Sequence, residues 1–311
     1  MEWIRTQEQA LPHFESSVLT IGNFDGVHLG HQSLLSALVR IANELNTKSV
    51  VCTFKPHPRT ILHPNQPVHR LFDYKDQAEM IESLNVDYLI EEKFSKDLSR
   101  MPAEDYLEGY IDRFYHPRHL VVGYDFSFGN QRSGNTDFLK IFCDRKKWGL
   151  TVVPAVETDG LIVSSSQVRK MLEHGDLKKA QELLGRPYYL RGPVRVGYKR
   201  GRILGVPTAN LSPEIEFIPR KGVYFTKVNL KNKIYSAITN IGYNPTFENK
   251  DPYLKVETHL FNFNEDIYGE HISVELCHFH RDEMKFTSVE SLKAQILKDI
   301  ESGKKYFESY G

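Results

Sequence analysis

A strand, a glycine turn and a helix follow one another directly in residues 18–31, and this order limits what the chain can fold into. Residues 18–21 form an apolar run of strand length. Gly22 and Gly26 bracket a tight turn, where glycine accepts left-handed backbone and lets a ligand approach closely. Beyond Gly30, leucine and isoleucine recur at helical spacing, which predicts a helix beginning near residue 30.

Two histidines, His28 and His31, stand three residues apart at the entrance of this helix. Residues at that spacing share a helix face, and the first turn offers free N–H groups and the positive end of the dipole to a phosphate. Imidazoles there can stabilise the charge that builds up when a phosphorus atom is attacked. The two histidines could also be ordinary surface residues or half of a metal site. The preceding strand and the glycines favour the phosphate role. The candidate residues of this turn are Gly22, Phe24, Asp25, Gly26, His28, Gly30 and His31.

The rest of the first half alternates strands with helices, which predicts a mostly parallel sheet. Ligands of open α/β sheets lie beyond the carboxyl ends of the strands, so the loops there are candidates. After the predicted strand at residues 49–54, a loop restricted by two prolines places His57 beyond the carboxyl end of the strand, where it could contact a ligand. The same pattern is also typical of a rigid loop with an exposed histidine that has no such role. The loop at residues 123–134 has glycines, aromatic rings and a carboxylate, which suits either a stacked planar ring or an ordinary glycine-rich turn.

The first half ends on a hydroxyl-rich helix start formed by Ser164, Ser165 and Ser166, with Arg169 in the same segment. Hydroxyl groups and a guanidinium there can donate to phosphate oxygens, while the plain alternative is a serine cap beside a solvated arginine. A helical stretch at residues 172–184 then ends at Gly185. We therefore predict two domains, residues 1–185 and residues 186–311.

The second half consists of short, often alternating apolar segments separated by Gly, Pro and Asn turns. This pattern indicates an antiparallel barrel or sandwich, of which we predict the barrel. The last element is a predicted helix, with Thr287 and Glu290 resembling a capping box. Its apolar stripe is expected to pack on the barrel and consists of Val289, Leu292, Ile296 and Ile300.

Three segments of this half carry candidate chemistry, and one of them, residues 240–247, predicts by itself only a turn with an aromatic tip. The other two are more specific. The first runs over residues 197–210 and combines glycines and cations with Thr208 and Asn210. Such a loop can surround phosphates, and hydroxyl and amide oxygens suit Mg²⁺, although a basic hairpin with a capping threonine would look similar. In the second, Glu257 shares a strand face with His259. That carboxylate could take a proton from an alcohol attacking a γ-phosphate, or it could be a solvated glutamate on an exposed face.

Bulk properties exclude several classes of protein. Forty basic and forty acidic residues cancel, so no global positive field predicts nucleic-acid binding. The three cysteines are far apart, which argues against a disulfide scaffold and fits a reducing cytosol. There is no apolar run of membrane-spanning length, and the first residues lack the layout of a signal peptide.

Several motifs resemble those of known families. Gly-x-x-Asp-Gly-x-His-x-Gly-His resembles the nucleotidyltransferase signature, and Val-Ser-Ser-Ser-x-x-Arg is similar to that superfamily's second phosphate-binding element. Gly-Arg-x-Leu-Gly-x-Pro-Thr-Ala-Asn, Asn-Ile-Gly-x-Asn-Pro-Thr-Phe, Glu-Thr-His-Leu-Phe and Arg-Asp-Glu-Met-Lys-Phe resemble the riboflavin kinase domain. In this order they resemble the bacterial bifunctional riboflavin kinase/FAD synthetase family over residues 16–305.

The resemblance implies a Rossmann-like nucleotidyltransferase domain followed by an antiparallel β-barrel kinase domain with a terminal helix. It implies phosphorylation of riboflavin to FMN by ATP, then transfer of AMP from a second ATP to FMN, giving FAD and pyrophosphate. Glu257, His28 and His31 would be catalytic, and Thr208 and Asn210 would bind Mg²⁺. ATP would also contact Ser164, Ser165, Ser166, Arg169, Gly201, Arg202, Gly205 and Pro207. The flavin would contact Phe54, Pro56, His57, Pro58, Asp125, Phe126, Phe128, Asn244, Arg281, Met284 and Phe286.

Two other functions compete with this interpretation. In the first, only one half is active, and the chain is an adenylyltransferase that acts on pantetheine phosphate or another nucleotide. The kinase motifs argue against this function. A flavin-binding regulator that has lost catalysis and contacts RNA is disfavoured by zero net charge and by the presence of Glu257, Thr208 and Asn210. We expect small-molecule substrates, no nucleic-acid or membrane partner and a cytoplasmic location, and self-association stays open.

Overall fold

The computed structural model of the chain describes residues 1–66, 68–197, 205–215, 217–243 and 254–310. The chain divides into two compact units, Met1–Ser165 and Ser166–Gly311. This division falls before the domain boundary expected between residues 185 and 186, which stays a prediction. Within the described ranges, no helix is both long and apolar enough to cross a membrane.

A six-stranded sheet forms the centre of the first unit, and every pairing in it is parallel. Its strands lie side by side in the order β1-β4-β3-β2-β5-β6. They are β1 (Glu2–Arg5), β2 (Ser17–Ile21), β3 (Lys48–Lys55), β4 (Tyr88–Lys93), β5 (Pro117–Gly123) and β6 (Gly149–Val153). A small antiparallel pair follows, β7 (Glu157–Thr158) and β8 (Leu161–Ile162).

Helices connect these strands, as the alternating pattern predicts. The first unit contains α1 (Leu29–Glu44), α2 (Pro58–Leu62), α3 (Tyr74–Glu82), α4 (Lys96–Arg100), α5 (Ala103–Asp105), α6 (Arg113–Tyr115) and α7 (Thr136–Lys146). A π-helical segment, Tyr106–Asp112, joins α5 to α6.

Both faces of the sheet are covered by apolar side chains, which explains why its strands read as continuous apolar runs. Neighbouring residues alternate between two clusters. Leu19 and Val50 belong to one cluster, whereas Val18 and Val51 belong to the other. Since a strand exposes alternate residues to opposite faces, both faces of β2 and β3 are buried.

The direction of the chain changes at β2. From β2 the chain passes through α1 to β3 on one side, whereas β5 pairs with the other side of β2. In an open α/β sheet, the crevice beyond the carboxyl ends of strands at such a reversal is where ligands bind. The glycine turn after β2 lies at this position.

A closed antiparallel barrel forms most of the second unit, so the predicted fold class is confirmed for both halves. The strands follow the order β10-β13-β12-β11-β14-β9 around the barrel. They are β9 (Tyr189–Arg195), β10 (Ala209–Leu211), β11 (Gly222–Leu230), β12 (Lys233–Tyr243), β13 (Leu254–Leu260) and β14 (His271–Arg281). The helices are α8 (Ser165–His174), which opens with the last residue of the first unit, α9 (Leu177–Leu184) and α10 (Val289–Tyr310).

Helix α10 packs against the barrel through its middle and its end. Ile300 belongs to an apolar cluster with Phe225 and Phe261 of the barrel. A Cβ on Gly303 would lie 3.0 Å from the Phe261 ring, so the absence of a side chain there permits close packing. Val289, predicted to be part of the contact stripe, is exposed instead.

Two local predictions in this unit are wrong. The helical stretch at residues 172–184 is broken at Gly175, whose φ of +78° favours glycine, and α9 begins anew with Asp176 as its cap. The cap of α10 is formed by Ser288, which accepts the N–H of Ser291 at 3.1 Å. The expected capping box at residues 287–290 is therefore displaced by one residue.

Candidate active sites

His28 and His31 lie together at the start of α1. His28 caps the helix, since its Nδ1 accepts the N–H of His31 at 3.4 Å. The two rings stack with their centroids 3.6 Å apart, and His28 is only 6% exposed. A Cβ on Gly30 would lie 3.2 Å from the His28 ring, so this glycine keeps space for the imidazole. The structure thus brings two imidazoles to the positive end of a helix, as predicted.

The turn before α1 has an unusual backbone conformation that surrounding groups hold in place. Phe24 and Val27 have φ angles of 48° and 38°, in the left-handed region that non-glycine residues rarely adopt. The Asp25 carboxylate accepts the N–H of Leu71 at 3.0 Å. The Ser165 hydroxyl donates to the Asp25 carbonyl at 2.8 Å. Asp25 and Ser165, two predicted phosphate-site residues, therefore shape this turn.

The aromatic ring of Phe24 fills the space beneath the turn. A Cβ on Gly22 would lie 3.1 Å from this ring, and the His31 imidazole packs edge-on against it at 5.3 Å. Gly26 has a φ of +83°, which fits a residue without a side chain. These two predicted glycines thus have geometric reasons for their identity.

Sequence reasoning missed Asn23 and Gln77. The Gln77 side-chain amide donates to the Asn23 carbonyl at 2.8 Å and so ties α3 to the glycine turn. The Asn23 Oδ1 is buried and has no hydrogen-bond partner among the described residues, which leaves an acceptor available in the glycine turn. Gln77 could not be found from a local pattern because it is distant in the chain.

The loop after β5 forms an aromatic surface. Phe126 and Phe128 stack with centroids 5.4 Å apart, and both pack against the same apolar cluster as Phe54 at the end of β3. Asp125 is exposed beside them. Three predicted flavin-contacting rings are therefore partly buried against one core cluster.

His57 is 9% exposed, so the alternative of an exposed histidine is wrong. Its Nδ1 accepts the N–H of Arg59 at 3.2 Å and caps α2, and Pro58 occupies the first helical position. Pro56 precedes this cap directly. The loop is therefore a rigid helix entrance, and its contact with a flavin stays a prediction.

The serine-rich segment spans the end of one unit and the start of the next. Ser164 and Ser165 end the first unit, whereas Ser166 and Arg169 lie in α8, the first helix of the second. The predicted contacts of Ser164, Ser166 and Arg169 with phosphate stay predictions.

The barrel brings Asn210 and Glu257 directly opposite each other. They are register partners in the β10–β13 ladder, and on the other side Glu257 is paired with Asn240 of β12. Paired residues point to the same face about 5 Å apart. This face is the outer one, since the adjacent Val256 and Thr258 are buried inside the barrel. Two amides thus flank one carboxylate, and Asn240 was not among the predicted site residues.

Contacts from neighbouring loops shape this barrel site. A Cβ on Gly197 would lie 2.6 Å from Asn210 Cγ, so Gly197 leaves room for the amide. His259 Nδ1 is 2.7 Å from the Pro207 carbonyl, one residue before Thr208. Burial lowers the pKa of His259 below its usual value, partly offset by this hydrogen bond. Gly205 lies in the exposed turn that precedes these residues.

The segment after β14 carries the remaining candidates. Arg281 donates to both carboxylate oxygens of Asp299 on α10, the shortest distance being 2.6 Å. Met284 is half exposed and Phe286 is partly buried. The flavin contact predicted for Arg281 stays a prediction, and the structure gives its guanidinium a partner on α10. Gly201, Arg202 and Asn244 lie outside the described residues.

Comparison with protein families separates the chain into two enzymatic parts. The FAD synthetase family model matches residues 11–167, and the riboflavin kinase family model matches residues 184–307. The two matches identify a two-part transferase that acts on flavins and nucleotides.

Individual proteins match along the whole chain. The bifunctional riboflavin kinase/FMN adenylyltransferase of Haemophilus influenzae is 38% identical over 99% of this chain and 100% of its own length. That of Bacillus subtilis is 36% identical over 94% of this chain and 93% of its own. A crystal structure described as a macrolide-efflux protein from Streptococcus pneumoniae is 30% identical, with a TM-score of 0.85, over 98% of this chain and 99% of its own. The chain belongs to the bifunctional riboflavin kinase/FMN adenylyltransferase family.

Proposed function

We propose that the barrel unit phosphorylates riboflavin with ATP and that the sheet unit transfers AMP from a second ATP to the FMN formed. The proposal of the kinase reaction rests on the register pairing of Asn210 with Glu257. The proposal of adenylyl transfer is supported by the stacked His28 and His31 at the start of α1. The two reactions attack different phosphorus atoms, which accounts for two separately built sites.

In the kinase reaction, Glu257 accepts the proton of the terminal riboflavin hydroxyl while its oxygen bonds to the γ-phosphorus of ATP and ADP leaves. The partly buried carboxylate sits on a strand, so its direction is fixed by the barrel. Thr208 and Asn210 offer hard oxygen donors beside it, a donor set that fits Mg²⁺. Magnesium, when bound, would neutralise negative charge on the ATP phosphates. We assign phosphate contacts to Gly201, Arg202, Gly205 and Pro207.

In the adenylyl transfer, a phosphate oxygen of FMN bonds to the α-phosphorus of ATP and pyrophosphate leaves. The attacking phosphate is already ionised near neutral pH, so this step needs charge stabilisation and alignment rather than a strong base. His28 and His31 donate hydrogen bonds to the reacting phosphate at the positive end of α1. Because Gly22, Gly26 and Gly30 have no side chain, the backbone at these positions can approach the ligand closely. Phe24 and Asp25 hold the conformation of the turn. Ser164, Ser165, Ser166 and Arg169 bind the triphosphate.

The flavin ring is proposed to lie against the aromatic surface at the carboxyl ends of β3 and β5. Phe54, Phe126 and Phe128 already pack on a single core cluster there, which supports a common wall. Pro56, His57 and Pro58 form the rigid neighbouring loop, and Asp125 supplies an exposed carboxylate. For riboflavin at the barrel we propose contacts from Asn244, Arg281, Met284 and Phe286.

Product analysis tests this function. Riboflavin, ATP and Mg²⁺ should yield FMN and then FAD on chromatography, and a chain that never forms FMN would refute the proposal. We expect Glu257→Gln to abolish FMN formation while FAD formation from supplied FMN persists. Glu270→Gln is the matched control, because Glu270 pairs only with Lys231 on the barrel surface among the described residues. Loss of both activities in the Glu257 variant would contradict one reaction per unit.

The same assay separates the competing functions. Adenylylation of pantetheine phosphate without FMN formation would indicate a single active half, and tight flavin binding without ATP turnover would indicate a regulator. We also propose a cytoplasmic location and no nucleic-acid partner, supported by free Cys52, Cys143 and Cys277 and by zero net charge. Sedimentation would determine whether the chain self-associates.

A further inference from the structure

One row of polar side chains crosses the outer face of the barrel. Register pairing joins Arg195 of β9 to Asn210 of β10, Asn210 to Glu257 of β13, and Glu257 to Asn240 of β12. Lys255 precedes Glu257 by two residues, so both side chains leave β13 on the same face. This lysine belongs to none of the motifs found in the sequence.

Lys255 contacts the carboxylate that we propose as the base. Its Nζ is 2.8 Å from Glu257 Oε1, and the two side chains are only 25% and 27% exposed. Both residues belong to one strand of a closed barrel, so the backbone fixes the spacing of the pair. A partly desolvated ion pair at this distance is stronger than a pair on open surface.

A second carboxylate lies on the other side of Lys255. Gly242 of β12 is its register partner in the ladder. A Cβ on Gly242 would lie 2.8 Å from Glu283 Cδ, so the Glu283 carboxylate occupies the space above Gly242. Because partners in a ladder point to the same face about 5 Å apart, the Lys255 side chain leaves the barrel between two carboxylates.

We infer that Lys255 is a positioning residue for Glu257 in the kinase reaction, an inference that rests on the proposed role of Glu257 as base. By holding one carboxylate oxygen, the ammonium group fixes the rotamer of Glu257 and leaves the other oxygen for the riboflavin hydroxyl. It also offsets the repulsion between Glu257, Glu283 and the γ-phosphate. Arg195 of β9 and His259 of β13 lie on the same outer face of the barrel.

The test is the effect of Lys255→Met on kcat and KM for FMN formation near neutral pH. We expect kcat to fall about tenfold while KM for riboflavin and for ATP stays within about twofold, because the direction of the Glu257 carboxylate is lost and the proposed substrate contacts are kept. Lys255→Arg should restore most of kcat, since it keeps the charge at the same strand position.

Controls separate this inference from the proposed function. Lys233→Met removes an exposed lysine at the start of β12 and should leave kcat and KM for FMN formation unchanged. FAD formation from supplied FMN should be unaffected in every variant. Wild-type kcat in Lys255→Met, while Glu257→Gln is inactive, would overturn the role of Lys255 alone. Full FMN formation by Glu257→Gln would overturn the proposed base and, with it, this inference.

Discussion

Substitution of Gly197 by alanine provides a direct test of the barrel site, because it displaces Asn210 without altering any group that contacts a substrate in our proposal. The new Cβ would lie 2.6 Å from Asn210 Cγ and 2.7 Å from Asn210 Oδ1. Ordinary contact begins near 3.4 Å. The amide must therefore move by about 1 Å, and displacement of this size can cost about a hundredfold in rate.

We expect kcat/KM for FMN formation in Gly197→Ala to fall between about tenfold and a hundredfold, which corresponds to about 1.4 to 2.7 kcal/mol in the barrier. The free energy of unfolding should fall by only about 1 kcal/mol, because the atoms that must move are the end of one side chain. FMN formation by initial rates and denaturant unfolding provide the two measurements.

Gly109→Ala is the matched control, since no heavy atom lies within 4 Å of the position of its added Cβ. It should leave both activities unchanged. Wild-type FMN formation in Gly197→Ala would refute the reasoning, because it would mean that the position of the Asn210 amide does not matter to phosphoryl transfer. An equal loss of FAD formation from FMN would also refute it, by indicating general damage.

Three further predictions concern other parts of the molecule. His31→Ala should lower FAD formation from FMN by about a hundredfold or more while FMN formation persists, and this is measured by chromatography. Asp299→Ala should lower the free energy of unfolding by about 2 to 3 kcal/mol in denaturant, because it leaves the partly buried Arg281 guanidinium without its carboxylate. The lowered pKa of His259 means that the folded state disfavours its protonation, so stability is lost as pH falls through about 6.5. Thermal unfolding at several pH values should show that loss in wild type and a smaller one in His259→Asn.

The first half could be predicted well from sequence because its signals are local. Residues 18–21 and 49–54 read as strands since both of their faces are buried, and β2 and β3 enclose these residues. The helix expected near residue 30 begins at Leu29, where the glycine turn ends. A local pattern of this kind needs no knowledge of distant residues.

The parts that could not be predicted depend on contacts between distant segments. Strand β10 has three residues, too few for a periodic signal, and its register places Asn210 opposite Glu257. The hydrogen bond between Gln77 and Asn23 joins positions that no local pattern connects. Arg281 meets Asp299 only because α10 returns to the barrel. Motif resemblance identified Asn210, Glu257 and Arg281 but not the protein groups that they contact, and it did not identify Gln77, Asn23 or Asp299.

The difference between the two reactions accounts for the different roles that we propose for the carboxylates of the two sites. An alcohol must lose its proton to attack phosphorus, whereas the phosphate of FMN is already ionised. In the barrel, the Glu257 carboxylate is partly exposed on the outer face beside Asn210. In the sheet unit, the Asp25 carboxylate is 3% exposed and accepts a backbone N–H. Asp25 is therefore a structural acceptor of the turn. In our proposal the imidazoles, the backbone N–H groups and the helix dipole stabilise the reacting phosphates, as transfer from an ionised nucleophile requires.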